Sequence, residues 1–478
     1  MPCLSRCERE LILSVANENP YIQYLLSDPS QGRQIAHEVA KIVVAHAPLS
    51  DPKGNASQPS KSSNHSMGEE PSLTSVANSQ DGYLLIIREL YAYLMNTMGR
   101  EGLAGGVSSA LRDALTTYRK QKKQTRNIHH DTVRALGLDW TPEIAAGWFQ
   151  ALPNIHLPKL KTPYPPAGKF ICEDEAIKKL WYPRLMEAKQ ADKRLKRCEP
   201  LVIDQTKLVR TVEAGESIVV RDCKTNEIVL MVVRNFCGDI DVLEWMGRIV
   251  AEAVRICRNV RQKEDAGHIS LVGFSAGQRS DPQFYWTRNL IRKISEGAAA
   301  AFRQDQSFVF ALFWNLLLKR LPLEIMDEWK GWIAEEMLPA MNPQWKDHSD
   351  NRGLYEIEVL AEKVVFHDAE LAPPTGIMSQ NYARPGHYER QPHKYAASLT
   401  VVREGLEDQD GGHFFLSAYG IKIVATADTC LVWQPRFYHG TSLQRVDPYD
   451  PDPDFRQQGL AIVTSPRLPP VWAQFSAD

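Results

Sequence analysis

The C-terminal third of the chain contains the stretch that decides its fold, Met378-Ser-Gln-Asn-Tyr-Ala-Arg-Pro-Gly-His-Tyr-Glu389, followed by Cys430-Leu-Val-Trp-Gln-Pro-Arg-Phe-Tyr-His-Gly-Thr441. In a strand, side chains alternate in direction with a period of two residues, so His387 and Glu389 point the same way. His439 in the second stretch supplies another imidazole. Two histidines and one carboxylate on one face of an octahedral metal leave its other positions open, a ligand set that suits non-haem iron. We therefore predict His387, Glu389 and His439 as catalytic, metal-ligating residues.

The sequence around these residues is rich in strands after Leu354. The β-type runs are short, evenly spaced and bounded by Gly, Asp and Pro, a pattern typical of a jelly-roll or barrel sandwich. They cover residues 399–402, 413–416, 421–425, 429–433 and 460–464.

The order and spacing of these motifs resemble the double-stranded β-helix core of 2-oxoglutarate/Fe(II)-dependent dioxygenases. Within that superfamily they are most similar to the fungal relatives of the TET/J-binding-protein group, which oxidise methylated bases. The resemblance covers about residues 375–468. It is carried by Asn381-Tyr382 ahead of the metal dyad, the Gly411-Gly412 turn and Tyr438-His439-Gly440 after a hydrophobic strand.

The resemblance implies Fe(II) and 2-oxoglutarate as cofactors. Arg456, at the head of the strand after His439, is placed to pair with the far carboxylate of 2-oxoglutarate, because a guanidinium matches a carboxylate bidentately. Asn381 or Gln458 would assist. The implied substrate is a methylated nucleobase in DNA or RNA, flipped into the pocket. Protein side chains and small metabolites are the rival substrates.

One residue departs from the family pattern, which usually has Asp where this chain has Glu389. The extra methylene moves the carboxylate by one C–C bond, so the groups around the site must adjust. A shifted register would instead use His393-Lys394-Tyr395, which lacks a carboxylate. In that case the chain would be a catalytically inactive relative that acts as a binding protein.

The segments upstream of the core differ in pattern. We predict an N-terminal helical segment at residues 1–46, a disordered Ser/Asn/Pro-rich linker at 47–80 and a helical region at 81–199. Residues 200–353 read as a mixed α/β region that packs on the double-stranded β-helix core of residues 354–478. The predicted fold class is therefore α+β, with the helical N-terminal and middle regions packed on a C-terminal jelly roll.

Composition limits the other possibilities. The 478-residue chain has a net charge of −2 and so lacks an overall basic footprint for nucleic acid. Its eight cysteines form no CxxC pair, which disfavours a zinc finger and fits reduced thiols, so we expect a nuclear or cytoplasmic protein. Because no apolar run is long enough to span a bilayer, no membrane association is expected. The oligomeric state is left open.

Other motifs in the sequence suggest different functions. Gly273-Phe-Ser-Ala-Gly277 matches the nucleophile elbow of α/β-hydrolases, with Ser275 as nucleophile, although Pro282 disfavours the helix that should follow. His129-His130-Asp131 contains a second His-x-Asp, in which we expect Asp131 to cap a helix N-terminus. The basic stretches at 118–126 and 178–197 are expected to be solvated, with phosphate contact as the alternative.

Overall fold

The computed structural model describes residues 123–191, 199–262, 264–344, 351–360, 362–405, 407–450, 453 and 455–477. The predicted N-terminal helical segment and linker lie outside these residues. Residues 129–478 belong to one compact unit. In the described part of the chain, no helix has the length and apolar character needed to cross a membrane.

A nine-stranded sheet dominates the fold. Every neighbouring pair is antiparallel except β1 and β5. In spatial order the strands are β1 Asn154–Leu157, β5 Ile218–Asp222, β6 Ile228–Arg234, β15 Thr429–Trp433, β12 Ala396–Glu404, β17 Arg456–Ile462, β11 Thr375–Ala383, β7 Ala266–Gly277 and β8 Pro282–Trp286.

Smaller sheets complete the strand set. The small sheet that faces the nine-stranded sheet has the order β16 Gly440–Thr441, β13 Phe414–Leu416, β14 Ile421–Ile423 and β4 Arg210–Val212. Two strand pairs stand apart, β2 Phe170–Cys172 with β3 Pro200–Val202, and β9 Arg352–Val359 with β10 Glu362–Glu370.

Helices cover one face of the large sheet. After a helical stretch at residues 123–135, the helices in chain order are α1 Pro142–Gln150, α2 Glu175–Ala191, α3 Ile240–Ile256, α4 Glu296–Arg320, α5 Leu323–Glu335 and α6 Leu468–Ala477. Helix α3 begins where Asp239 accepts a hydrogen bond from the backbone N–H of Val242, and it packs on β11, β12 and β17. The centre of α4 is buried nearly all round, as expected for a helix between other layers. A Cβ at Gly376 would lie 2.3 Å from a ring carbon of Phe310, so this glycine permits the close approach of α4 to β11.

The other face of the large sheet packs on the small sheet. Side chains from β5, β6 and β15 meet those of β13 and β14 in a dry core that includes Val220, Leu230, Leu416 and Ile421. Each such side chain contributes about 1.5–3 kcal/mol by leaving water. This core fixes the spacing between the two sheets. Beyond it, the same two sheets diverge around a cavity.

The predicted strand runs overlap β12, β13, β14, β15 and β17, although three of them extend one or two residues beyond the observed strand, and the mixed α+β class is confirmed. The large sheet is not restricted to residues 354–478, because β1, β5, β6, β7 and β8 come from upstream and complete it. Two strands also lie in the stretch predicted as helical, β1 and β2. Short strands of this kind are stabilised by pairing with distant partners, which a local pattern does not reveal.

Candidate metal centre

His387 and His439 face each other across an isolated antiparallel bridge. The N–H of each donates to the carbonyl of the other at 2.8 Å, and the ring centroids are 4.3 Å apart. Glu389 is held two residues further on, where its N–H donates to the carbonyl of Pro435 at 2.8 Å. One ligand atom from each of His387, Glu389 and His439 lies within 4.8 Å of the other two. The backbone pairing thus brings the three predicted ligands together.

The ring nitrogens of both histidines are assigned by their backbone partners. Nδ1 of His387 lies 2.9 Å from the carbonyl oxygen of Pro385, and Nδ1 of His439 lies 2.8 Å from that of Phe437. A carbonyl oxygen can only accept, so each Nδ1 carries the proton in the neutral ring. Nε2 of each ring then has a free lone pair for a metal.

Protonation states favour metal binding as well. Burial lowers the pKa of His439 to about 3, and the neighbouring His387 acts in the same direction, so the ring is neutral at ordinary pH. Burial alone would raise the pKa of Glu389, but the neighbouring His387 and the charge of Arg384 bring it well below its usual value. The site therefore offers a neutral imidazole and a carboxylate without first losing a proton.

The Glu389 carboxylate is oriented from both sides. Arg384 donates to Oε1, and Gln391 Nε2 donates to Oε2 at 3.0 Å. Arg384 is itself held by Asp265, whose Oδ2 lies 3.5 Å from Nε and accepts from the Tyr382 hydroxyl at 2.5 Å. Asp265 is buried, and burial raises its pKa. This chain of contacts fixes the position of a carboxylate that has one more methylene than the usual aspartate.

The three residues lie on the wall of a cavity of about 610 Å³ between the large and the small sheet. Phe414 and Trp433 also line it, and their ring centroids lie 5.8 and 5.7 Å from that of His439. The volume falls within the range of about 300–1,000 Å³ typical of ligand pockets. A metal at this site would therefore be open to a ligand on the cavity side.

Arg456 lies elsewhere. Its side chain is 53% exposed, pairs with Glu404 at 2.9 Å and is not part of the cavity wall. On β17 the inward-facing side chain is that of the next residue, Gln457, whose Nε2 donates to the carbonyl of Gly412 on the cavity wall at 2.9 Å. The assignment of Arg456 as the carboxylate partner is wrong, because its side chain lies on the face of β17 opposite to that of Gln457 and away from the cavity.

Asn381 and Gln458 have structural contacts. Asn381 is buried with φ +52°, and its side chain accepts from the N–H of Gln457 at 2.8 Å. Gln458 reaches the cavity wall, but its side chain donates to Gln380 at 2.7 Å and faces Gly247 of α3. Both stabilise the sheet, and neither side chain is free to hold a cofactor.

Arg234, at the end of β6, was not singled out by the sequence, yet it lines the cavity. It is paired in register with Thr429 of β15, and its guanidinium donates to the hydroxyls of Thr426 and Thr429 at 2.9 and 3.0 Å. Its other bonds go to backbone carbonyls, so no carboxylate among the described residues hydrogen-bonds it. Burial lowers its pKa to about 10, and it stays cationic at neutral pH. A signal for it in the sequence would have required knowing that β6 pairs with β15.

The competing motifs are not assembled into sites. Ser275 lies within β7, paired with Tyr285 of β8, so no strand–turn–helix elbow exists there and the hydrolase alternative is wrong. Gly273 is needed instead for close packing, since a Cβ there would lie 2.1 Å from the carbonyl oxygen of Pro374. His393 is 4% exposed, outside the cavity wall and packed against Trp332, which rules out the shifted register.

The second His-x-Asp motif is also accounted for. A helix covers residues 123–135, so Asp131 lies inside it and the N-cap prediction is wrong. His130 and Asp131 form an exposed pair at 3.7 Å, with both side chains more than two-thirds exposed. An exposed aspartate is tolerated within a helix, which is why its cap preference did not fix the helix start.

No family model and no curated protein matches the chain. Among solved structures it is similar to NgTET1 in complex with 5mC DNA, at 12% identity and a TM-score of 0.33, over 61% of this chain and 91% of that one. It is also similar to a Pseudomonas putida prolyl-4-hydroxylase, at 12% identity and a TM-score of 0.22, over 49% of this chain and 90% of that one.

Proposed function

We propose that this chain is an Fe(II)- and 2-oxoglutarate-dependent dioxygenase. The observation that carries the proposal is the convergence of His387, Glu389 and His439, whose ligand atoms lie within 4.8 Å of one another on the wall of a cavity. Two imidazole nitrogens and one carboxylate oxygen form the donor set that non-haem Fe(II) oxygenases use. Because Nδ1 of each histidine faces a backbone carbonyl, the remaining Nε2 atoms suit a metal and have the second contacts that metal-bound histidines usually make.

The strand order supports the finer interpretation of the core as a double-stranded β-helix. From β11 onward, the chain alternates between the two sheets, except at the β13–β14 hairpin, whose two strands both lie in the small sheet. Strands β11, β12, β15 and β17 lie in the large sheet, whereas the His387 bridge, β13, β14 and β16 lie on the small-sheet side. Such alternation is the property that defines a jelly roll. The metal ligands then lie where the chain crosses between the sheets.

For the co-substrate, Arg234 is the better candidate than Arg456. It is a half-buried cation on the same cavity wall as the triad, and its hydrogen bonds go to neutral acceptors alone. A cation without a hydrogen-bonded carboxylate in a site of low dielectric attracts an anion strongly. All five of its guanidinium N–H groups bond to the protein, so we propose that Arg234 attracts the far carboxylate of 2-oxoglutarate through its charge.

When bound together, iron and 2-oxoglutarate would supply oxidation of a C–H bond by O₂. The chain's own residues do the rest. Arg384 and Gln391 keep the Glu389 carboxylate directed at the site. Phe414 and Trp433 shield the His439 side of the site from water. Arg234 would orient the co-substrate along the cavity, and such orientation lowers the barrier by fixing the reactants before the reaction.

The sequence resemblance implies a methylated nucleobase in DNA or RNA as substrate. The nuclear or cytoplasmic location is likewise a prediction from the sequence. The inactive binding-protein alternative is disfavoured, because it depended on the His393 register or on a glutamate unable to reach the site. The observed Glu389 does reach it, with Oε1 3.5 Å from Nε2 of His387.

Anaerobic titration of the full chain with Fe(II) and then 2-oxoglutarate tests the proposal. We expect a weak visible charge-transfer band that needs both additions, and release of succinate once O₂ is admitted. Substitution of His439 by Ala should abolish the band, whereas His156→Ala, at an exposed histidine outside the cavity, should preserve it. A protein that binds no metal at the triad would contradict the proposal.

A further inference from the structure

The cavity wall carries more positive charge than the proposed cofactors use. Its ionised residues are four arginines and one carboxylate, namely Arg234, Arg261, Arg384, Arg390 and Glu389. Asp265, just behind the wall, lies 3.5 Å from Arg384 and 3.7 Å from Arg261 and offsets one of these charges. The charges of Fe(II) and of the 2-oxoglutarate dianion cancel each other. The lining itself is therefore cationic in a protein whose net charge is −2, while Glu216 and Asp408 act on Arg234 from outside the lining.

Arg390 is the arginine of this wall with no protein partner among the described residues. Its side chain is exposed, it follows directly after the ligand Glu389, and it lines the cavity. Arg384 is held by Glu389 and Asp265, and Arg234 by hydroxyls and carbonyls. Arg261 is 38% exposed and shares Asp265 with Arg384. Arg390 is thus the cation available to a ligand that enters from solvent.

The wall nearest β7 and β11 is apolar and open. Leu271 is 38% exposed and Val260 is 37% exposed, although both line the cavity. Leu271 lies opposite Ile377 in the β7–β11 register, and Val260 is joined to Ile269 by a backbone hydrogen bond of 3.0 Å. Half-exposed aliphatic side chains grouped in a cavity mark a ligand-binding surface.

We infer that the substrate is a small amphipathic organic anion, whose charged group pairs with Arg390 and whose apolar body packs on Leu271, Val260 and Ile377. The inference rests on the proposed function for the role of this ligand as substrate, while its binding can be measured separately. 2-Oxoglutarate, a five-carbon diacid, fills only part of the 610 Å³ cavity and leaves room for a second ligand. A nucleic acid is disfavoured, because phosphate backbones are bound by several cations outside a pocket, in a chain with an overall basic face.

Calorimetry on the full chain, anaerobic and saturated with Fe(II) and 2-oxoglutarate, tests the inference with octanoate, 1-octanol and octylamine as probes. We expect octanoate to bind about tenfold more tightly than octanol, because one charge-assisted hydrogen bond contributes about that factor to affinity. Octylamine, which is a cation, should bind most weakly. Arg390→Ala should remove that advantage and Arg390→Lys should preserve most of it. Arg248→Ala, at an exposed arginine of α3 paired with Glu358, should change nothing.

The apolar contact has its own matched pair of variants. Leu271→Ala should lower the affinity for octanoate and for octanol by the same factor, about fivefold, because both lose apolar contact area. Leu354 is a strand residue of similar exposure (40%) outside the cavity, so Leu354→Ala should leave both affinities unchanged. Equal binding of octanoate and octanol, or no effect of Arg390→Ala, would overturn the inference. A short single-stranded oligonucleotide that displaces octanoate and binds more tightly through Arg390 would overturn it in favour of nucleic acid.

The charge-transfer band is recorded on the same samples. If the band is missing while octanoate still depends on Arg390, the dioxygenase proposal fails and the anion site stands. If the band is present and the three probes bind with equal affinity, the anion site fails and the dioxygenase proposal stands.

Discussion

Substitution of Glu389 by Asp tests whether this site is built for the longer carboxylate. The change withdraws the carboxylate by one C–C bond, about 1.5 Å. Glu389 now accepts from Arg384 and Gln391, the latter at 3.0 Å, and lies 3.5 Å from Nε2 of His387. A retreat of this size stretches the bonds to Arg384 and Gln391 beyond hydrogen-bonding range and takes the carboxylate further from His387. We therefore expect Glu389→Asp to weaken Fe(II) binding about 10- to 100-fold, or roughly 1.4–2.8 kcal/mol.

Anaerobic calorimetry with Fe(II) at neutral pH measures this loss directly. Glu389→Gln preserves the reach but removes the charge, and it should weaken binding further than Asp does. Glu227→Asp shortens a carboxylate that pairs with Lys394 and Arg436 outside the cavity, and it should leave Fe(II) affinity unchanged. Equal or tighter binding by Glu389→Asp would refute the reasoning, because it would mean that Arg384 and Gln391 do not set the carboxylate position.

Three further outcomes are expected. Arg234→Gln should weaken 2-oxoglutarate binding at least tenfold at unchanged Fe(II) affinity, whereas Arg456→Gln should alter neither in the same calorimetric assay. Burial lowers the pKa of His393 to about 4 in the folded protein. As the pH falls below 6.5, His393 therefore becomes protonated in the unfolded chain while it is still neutral in the folded protein. Stability should then fall by up to about 3 kcal/mol between pH 6.5 and 4 in urea titrations, and His393→Gln should flatten that slope. Gly411→Ala should lower the melting temperature, because φ is +84° and a Cβ would lie 2.0 Å from the carbonyl oxygen of Leu443.

The metal ligands were predictable from sequence because their geometry is local. His387 and Glu389 are two residues apart, and His439 follows a strand that the pattern revealed. The co-substrate residue was not predictable in the same way. Strand β17 is covered on both faces, by α3 on one and by the cavity on the other, so hydrophobic alternation did not show which residues point inward. Arg456 was therefore predicted as the co-substrate residue only from its place at the start of this strand, whereas the residue that faces the cavity is Gln457.

Arg234 shows the second limit. It lies almost two hundred residues before Thr429, and only the pairing of β6 with β15 brings the two together on the cavity wall. The same pairing makes β5 and β6 part of the sheet that holds the metal site, although their sequence lies outside the stretch predicted as the core. Contacts between strands distant in sequence are set by the whole fold, and no local periodicity encodes them.

The departure from aspartate and the buried charges behind the site have one explanation. A glutamate has an extra rotatable bond, and a metal ligand must be held in one orientation to bind well. Arg384 and Gln391 restrict that freedom, and Asp265 with Tyr382 restricts Arg384 in turn. A buried arginine between two carboxylates is costly to desolvate and contributes little net stability, so its presence here favours a role in positioning. If so, Arg384→Met combined with Glu389→Asp should cost less Fe(II) affinity than the two single losses added together, because the two residues act on one contact.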